Sequence, residues 1–272
     1  MYFSVGRVFN TPRLILAFAL AMTLLALSGC GSPSSSQQLA PPPPSPVLPP
    51  ALAAEPVLLF NGTGTSADVA AVEAVLGTLN LSYKTADSTQ LDAMSEQQLA
   101  GYKLLIIPGG NSIDIGKSLS QQTTSNIRGA VQSYGLHYLG LCAGAFFGGS
   151  SIYNGVDLTG GVWFNFYAAE FKGIHEEPVE ISLPNSSPLD VYWQDGPQLS
   201  GWGSVVAKFP DGTPAIVEGQ SGKGFVILTG VHPEAPASWR GSMIFTTPEA
   251  TDLAYAGTIF QAALSGTPLA HF

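Results

Sequence analysis

Four short apolar runs mark the first half of the folded part of the chain: PVLLF at 56–60, LSYKT at 81–85, KLLIIP at 103–108 and HYLGL at 137–141. Turn-forming residues follow them, among them Asn61-Gly62-Thr63-Gly64 and Gly109-Gly110. The stretches between the runs are longer and suit helices. Residues 66–79 place Val69, Val72, Val75 and Leu76 on one face, 89–102 reads as helical, 112–135 is largely helical, and another helix begins at 143–147. Three of the runs are apolar nearly throughout, as expected when both faces of a strand are covered. Strand and helix alternate four times, which predicts an α/β domain with a doubly wound, mostly parallel sheet. In such sheets the active site lies beyond the carboxyl ends of the strands. Asn61–Gly64, Gly109-Gly110 and the residue after Leu141 all fall at that edge.

The second half has a different rhythm. Residues 161–191 are rich in aromatics and short β-like segments. Residues 204–209, 213–218 and 224–229 read as three strands joined by Pro210-Asp211-Gly212 and Ser221-Gly222, an antiparallel extension whose last strand rejoins the main sheet. Residues 247–264 form a closing helix with Pro248 in its first turn.

The start of the chain follows neither pattern. Arg7 and Arg13 precede an apolar stretch at 14–27, too short for a comfortable membrane span, and Leu27-Ser28-Gly29-Cys30 follows it. The stretch resembles a bacterial lipoprotein signal peptide over 1–29, in which Cys30 would be lipidated and become the mature N-terminus. Residues 30–54 hold seven prolines between Pro41 and Pro50 and read as a tether, reaching at most ~70 Å if extended. The expected location is therefore the bacterial cell envelope, facing the periplasm or the exterior. Gly31 after Cys30 resembles signals that favour the outer membrane where a cell has one.

All 19 acidic residues lie from Glu55 onward, with eight of the ten basic ones, so the domain carries 8 − 19 = −11. No basic cluster exists, and nucleic acid is excluded as an expected partner. Of two cysteines, Cys142 alone belongs to the domain. It lies between Gly140 and Gly144 in Gly140-Leu141-Cys142-Ala143-Gly144, the spacing of a nucleophile on a sharp strand-to-helix turn. A thiol nucleophile needs a base and a group to orient that base. His232, two residues before Glu234 and just past the strand at 224–229, has the best setting of the four histidines. His137 starts its strand at the opposite edge, His175 falls in a loop with Glu176 and Glu177, and His271 is next to the end of the chain. No paired-histidine or cysteine spacing points to a metal, and no dinucleotide fingerprint is complete, so no cofactor is expected.

Pro108-Gly109-Gly110, the cysteine turn and His232-Pro233-Glu234 fall in the order found in the class I glutamine amidotransferase-like superfamily, whose fold is flavodoxin-like. The stretch Gly140-Leu141-Cys142-Ala143-Gly144-Ala145-Phe146-Phe147-Gly148 is most similar to the family named after the N-terminal domain of biotin–protein ligase. The resemblance spans about residues 56–240. It implies Cys142 as nucleophile, His232 as base and Glu234 as its orienter. It also implies an oxyanion and substrate-binding region at Gly109, Gly110, Ala143 and Phe146. Biotin ligase activity is not expected, because the ligase's own catalytic domain has no counterpart here.

Phe146 stands where glutamine-using members carry a glutamine, which argues against glutamine amidotransfer. With Phe147, Trp163, Phe164, Phe166 and Tyr167 it is a candidate lining for an apolar pocket, and residues 191–197 are a candidate loop over the site. The leading expectation is a membrane-tethered cysteine hydrolase or amidase acting on a small amide or peptide. The alternative is a non-catalytic module of the same fold that binds or senses a small molecule. A third reading, thiol redox or aldehyde chemistry, is weakened by Ala143, where the corresponding group carries histidine.

Overall fold

The computed structural model describes residues 52–272 apart from 66, 67 and 242. The signal peptide over 1–29, Cys30 and almost all of the tether lie outside the described residues. Among the described residues there are eleven strands: β1 Val57–Phe60, β2 Tyr83–Ala86, β3 Leu104–Ile107, β4 His137–Leu141, β5 Asn165–Phe166, β6 Glu176–Ile181, β7 Leu189–Gln194, β8 Pro197–Gln198, β9 Ser204–Lys208, β10 Pro214–Ser221 and β11 Gly224–Thr229. The α-helices are α1 Asp68–Thr78, α2 Ser88–Asp92, α3 Glu96–Leu99, α4 Ser112–Lys117, α5 Gln121–Gly129, α6 Ala143–Gly148, α7 Ala237–Arg240 and α8 Glu249–Ser265.

The main sheet runs β2-β1-β3-β4-β11-β10-β9. β2, β1, β3, β4 and β11 pair in parallel, while β10 and β9 extend the sheet antiparallel, as the sequence pattern predicts. Alternation within the apolar runs sorts side chains between two layers. Val57, Leu59, Leu104, Ile106, Leu139 and Ile227 pack with α1 and α8. Leu58, Phe60, Leu105, Ile107, Tyr138 and Val226 pack with residues of α2 to α6. Each such Leu or Ile contributes roughly 1.5–3 kcal/mol when fully buried. β6 and β7 form a separate antiparallel hairpin.

The two helical stretches at 89–102 and 112–135 are each built from shorter pieces. The 89–102 segment is α2 and α3, because Ser95 caps a new helix and forms a capping box with Gln98. The 112–135 segment is α4, α5 and a wider π turn over Ala130–Tyr134, with Ser120 capping α5 through the amide of Thr123. Short polar side chains that bond the local backbone compete with helix continuation. Residues 191–194, expected in a loop, belong to β7, and Glu176 and Glu177 open β6 instead of continuing a loop. Pro248 precedes α8 as its cap and does not lie within its first turn. Among the described residues no helix is long and apolar enough to cross a membrane.

Candidate active site

Parallel pairing brings three chain segments to one edge. Ile107 pairs with Gly140, and Leu141 pairs with Thr229, so Pro108-Gly109-Gly110, Cys142 and the segment leading to His232 leave the sheet side by side. Cys142 has φ 47° and ψ −102° and sits immediately before α6. Such a conformation costs a non-glycine residue on the order of 1–3 kcal/mol. It is held because β4 is buried behind it and the Cys142 amide donates to the Thr229 carbonyl at 2.8 Å. Gly144 makes the turn possible, since a Cβ there would lie 1.9 Å from the Ile107 carbonyl oxygen. The Tyr138 hydroxyl, buried under the turn, donates to the Gly144 carbonyl at 2.7 Å. Burial pushes that phenol well above its ordinary pKa, so it remains a donor.

His232 is 3% exposed and Glu234 1%. The His232 amide donates to the Tyr192 carbonyl at 2.8 Å, which ties the segment after β11 to β7. His232 Nδ1 lies 2.8 Å from Glu234 Oε1, fixing the ring and leaving Nε2 for another partner. The Cys142 side chain is the other group that bears on the ring. Burial by itself favours the neutral imidazole. The Cys142 side chain and the Glu234 carboxylate outweigh it and hold the histidine's pKa well above its ordinary value. The other Glu234 oxygen, Oε2, is buried without a hydrogen-bond partner. Tyr192 and Trp239 close the ring off from two sides, with centroids 5.9 and 5.6 Å from it. Burial, then the hydrogen bond to Glu176, push the Tyr192 phenol far up.

In front of Cys142 is a cavity of about 250 Å³, whose walls include Gly110, Asn111, Ala143, Phe146 and Phe166. Its charged walls are Glu170 and Asp195, both acidic. His175, at the rim, brings its Nδ1 to 3.0 Å from each of those carboxylates. Hydrogen bonding to Asp195, then the charge of Glu170, raise its pKa. The Cys142 thiol also reaches the Gln194 carbonyl, at 3.4 Å. A larger hollow of about 420 Å³ between α1 and α8 has no titratable side chain in its walls and lies on another part of the surface.

The structure thus brings together Cys142, His232, Glu234, Gly110, Ala143 and Phe146. Gly109 lies beneath His232: a Cβ there would be 2.7 Å from His232 Cε1 and 2.7 Å from Asp68 Oδ1. Of the candidate pocket aromatics, Phe146 and Phe166 meet edge to face at 5.0 Å within the cavity. Phe147, Phe164 and Tyr167 are core residues, and Trp163 points to solvent. His137 is remote, with its Nδ1 2.7 Å from the Ala263 carbonyl oxygen. Tyr192 belongs to the 191–197 segment expected over the site and packs against His232; Asp68, Trp239 and Glu170 were not legible as site residues, because no local motif marks them. Asp68 alone left a trace, as an acid near the start of the helix that follows β1. Two groups, Asp68–His232–Glu234 and Glu170–His175–Asp195, place a histidine and two carboxylates close enough to share a cation. In the first, the histidine nitrogen facing the acids is already bonded to Glu234.

Residues 55–173 match the family described as "Biotin-protein ligase, N terminal". PurLQS from Thermotoga maritima superposes with a TM-score of 0.51 at 15% identity, covering 76% of this chain and 99% of that one. A putative GMP synthase subunit from Thermoplasma acidophilum gives 0.47 at 13%, over 77% and 97%. A glutamine amidotransferase from Thermotoga maritima gives 0.45 at 15%, over 77% and 88%. The superposition on PurLQS shows that the two share an α/β fold with a mostly parallel central sheet; at 15% identity the likeness extends to the fold alone. No match was found among curated proteins.

Proposed function

We propose that the domain is a cysteine hydrolase that cleaves a small amide or peptide through a thioester. One observation carries this reading: a buried histidine, oriented by a buried glutamate at 2.8 Å, faces a cysteine held on a strained turn at the floor of a cavity. The Cys142 thiolate attacks the amide carbonyl carbon, and the carbonyl electron pair moves onto oxygen. Amides near Gly110 and Ala143 stabilise that oxygen, because the first amide of a helix has no partner within it. Collapse breaks the C–N bond, and the leaving amine takes the proton of the His232 imidazolium. The neutral ring then removes a proton from water, and the resulting hydroxide attacks the thioester carbonyl. Expulsion of the thiolate releases the carboxylic acid and restores the starting pair.

The test is alkylation of Cys142 by iodoacetamide against pH, in wild type and His232→Ala. The wild-type thiol should react well below pH ~8.5, and the substitution should remove that advantage. Slow alkylation, alike in both proteins, would sink the hydrolase and favour a binding or sensing module. The contact from Cys142 Sγ to the Gln194 carbonyl favours that second reading, since a neutral thiol donates such a bond.

The same proposal places the domain on the outside of a bacterial membrane, anchored by a lipid on Cys30, in the outer membrane of a two-membrane cell. Its partners are then the bilayer and a small-molecule or peptide ligand. Cys30→Ala should move the protein from the membrane fraction to the soluble one, and an unchanged distribution would rule out the lipid anchor.

A further inference from the structure

His232 carries more negative charge around it than a three-membered site requires. Asp68, at the start of α1, comes from the opposite end of the domain sequence. Its Oδ1 lies 3.6 Å from His232 Nδ1, the nitrogen that Glu234 already occupies at 2.8 Å. That separation is too long for a hydrogen bond, so Asp68 acts on the ring through its charge. The approach is built in. Gly109 lies under both side chains, and a Cβ on it would meet Asp68 Oδ1 and His232 Cε1 at 2.7 Å each. The glycine of the Pro108-Gly109-Gly110 turn therefore makes room for an acid and an imidazole on one spot of backbone.

We propose that Asp68 is a positioning residue of this site, whose carboxylate joins that of Glu234 in holding His232 as the imidazolium that balances an ionised Cys142. The proposal rests on the ionised cysteine–histidine pair proposed above and extends it by one residue. The charged and titratable groups facing the ring are Cys142 from the β4–α6 turn, Glu234 from its own loop, Asp68 from α1 and Tyr192 from β7. Tyr192 and the indole of Trp239 add no charge. Burial raises the Asp68 carboxyl, the neighbouring histidine opposes that rise, and Glu234 adds to it. The two acids thus repel one another and share one cation. Asp68 favours the protonated imidazole over the neutral one, so its loss lowers the pH at which the ring gives up its proton.

The experiment is an imidazole titration by proton–nitrogen NMR on the wild-type domain and on Asp68→Asn, Asp68→Ser and Asp68→Glu, with His232→Gln identifying the signal. In wild type the His232 ring should remain protonated beyond neutral pH. Asp68→Asn and Asp68→Ser should each lower its midpoint by about one pH unit, while Asp68→Glu keeps it near wild type. The alkaline step in iodoacetamide reactivity should move by the same amount. A midpoint in both neutral variants within about 0.2 unit of wild type overturns the proposal. A purely structural role would lower the thermal midpoint of all three variants, Glu included, without moving the titration. A wild-type ring already neutral at pH 6.5, beside an unreactive thiol, defeats the hydrolase reading and this proposal with it. An activated wild-type thiol with an unmoved Asp68→Asn titration defeats this proposal alone.

Discussion

The cysteine turn and the histidine facing it are held by different physics. Cys142 is placed by sterics within one continuous segment: a buried strand ends, the backbone reverses at φ 47°, and Gly144 lets α6 start within van der Waals reach of β3. His232 is placed by groups from four parts of the chain, namely Glu234 on its own loop, Asp68 on α1, Tyr192 on β7 and Trp239 on α7. The first arrangement stores strain and offsets it with apolar burial. The second confines charge and offsets the cost with counter-charge. A nucleophile on a turn needs little more than space, whereas its base needs a controlled electrostatic surrounding that no short segment can supply.

The sharpest way to break this contrast is at the turn. Gly144→Ala adds a Cβ 1.9 Å from a main-chain oxygen, which no side-chain rotation relieves. The expected loss is about 3 kcal/mol or more in denaturant unfolding, with Cys142 alkylation altered because the turn itself must shift. A loss below ~0.5 kcal/mol would show that the turn is not sterically set.

A smaller effect tests the electrostatic side. Trp239 rides on α7 beside Arg240, whose guanidinium is 2.8 Å from Asp252 and also bonds the Thr247 carbonyl. Asp252 is 2% exposed, and its Oδ1 has no hydrogen-bond partner. Burial outweighs the pull of Arg240 and raises its carboxyl to about 7. Its folded pKa thus exceeds the unfolded value of ~3.9, and between these the folded state binds the extra proton. Stability from this group is therefore greatest at low pH and declines as pH rises toward 7, by at most about 1.4 kcal/mol per unit. From pH 5 to 6.5 that amounts to no more than about 2 kcal/mol, reduced by whatever relaxation the site allows. Asp252→Asn should be less stable at pH 5 and flatter across this range, so the gap to wild type narrows as pH rises. A gap that is constant from pH 5 to 6.5 in urea titrations would place the Asp252 carboxyl at its ordinary value.

How far the chain could be read follows the same division. The apolar runs identified β1, β3 and β4 because burial on both faces leaves a signature that needs no partner to be recognised. The strand ends and the glycine spacing around Cys142 pointed to one edge of the sheet for the same reason. The breaks at Ser95 and Ser120 rest on local caps, Ser95 with Gln98 and Ser120 with the Thr123 amide, that the apolar periodicity does not show. The aromatics of 146–167 divided into cavity wall, core and surface, although their composition is uniform. Phe146 and Phe166 meet in the cavity, while Tyr167 stacks on Phe209 in the core, a pairing decided by a strand about forty residues away. Gln194 and Asp195, within the 191–197 segment expected over the site, reach it at the end of β7, whose register with β6 no single segment encodes.

The sequence by itself determined the buried strand segments, the turn at Cys142 and the pairing of His232 with Glu234, since each depends on residues within a few positions of one another. Tertiary structure alone decided that Asp68 and Trp239 flank His232, that Glu170 and Asp195 give the cavity its acidic wall, and that Gly109 lies beneath the imidazole. Steric rules act over one or two residues and leave their mark in local spacing. Charge acts through space, and which charges meet is settled only when the strands are laid side by side.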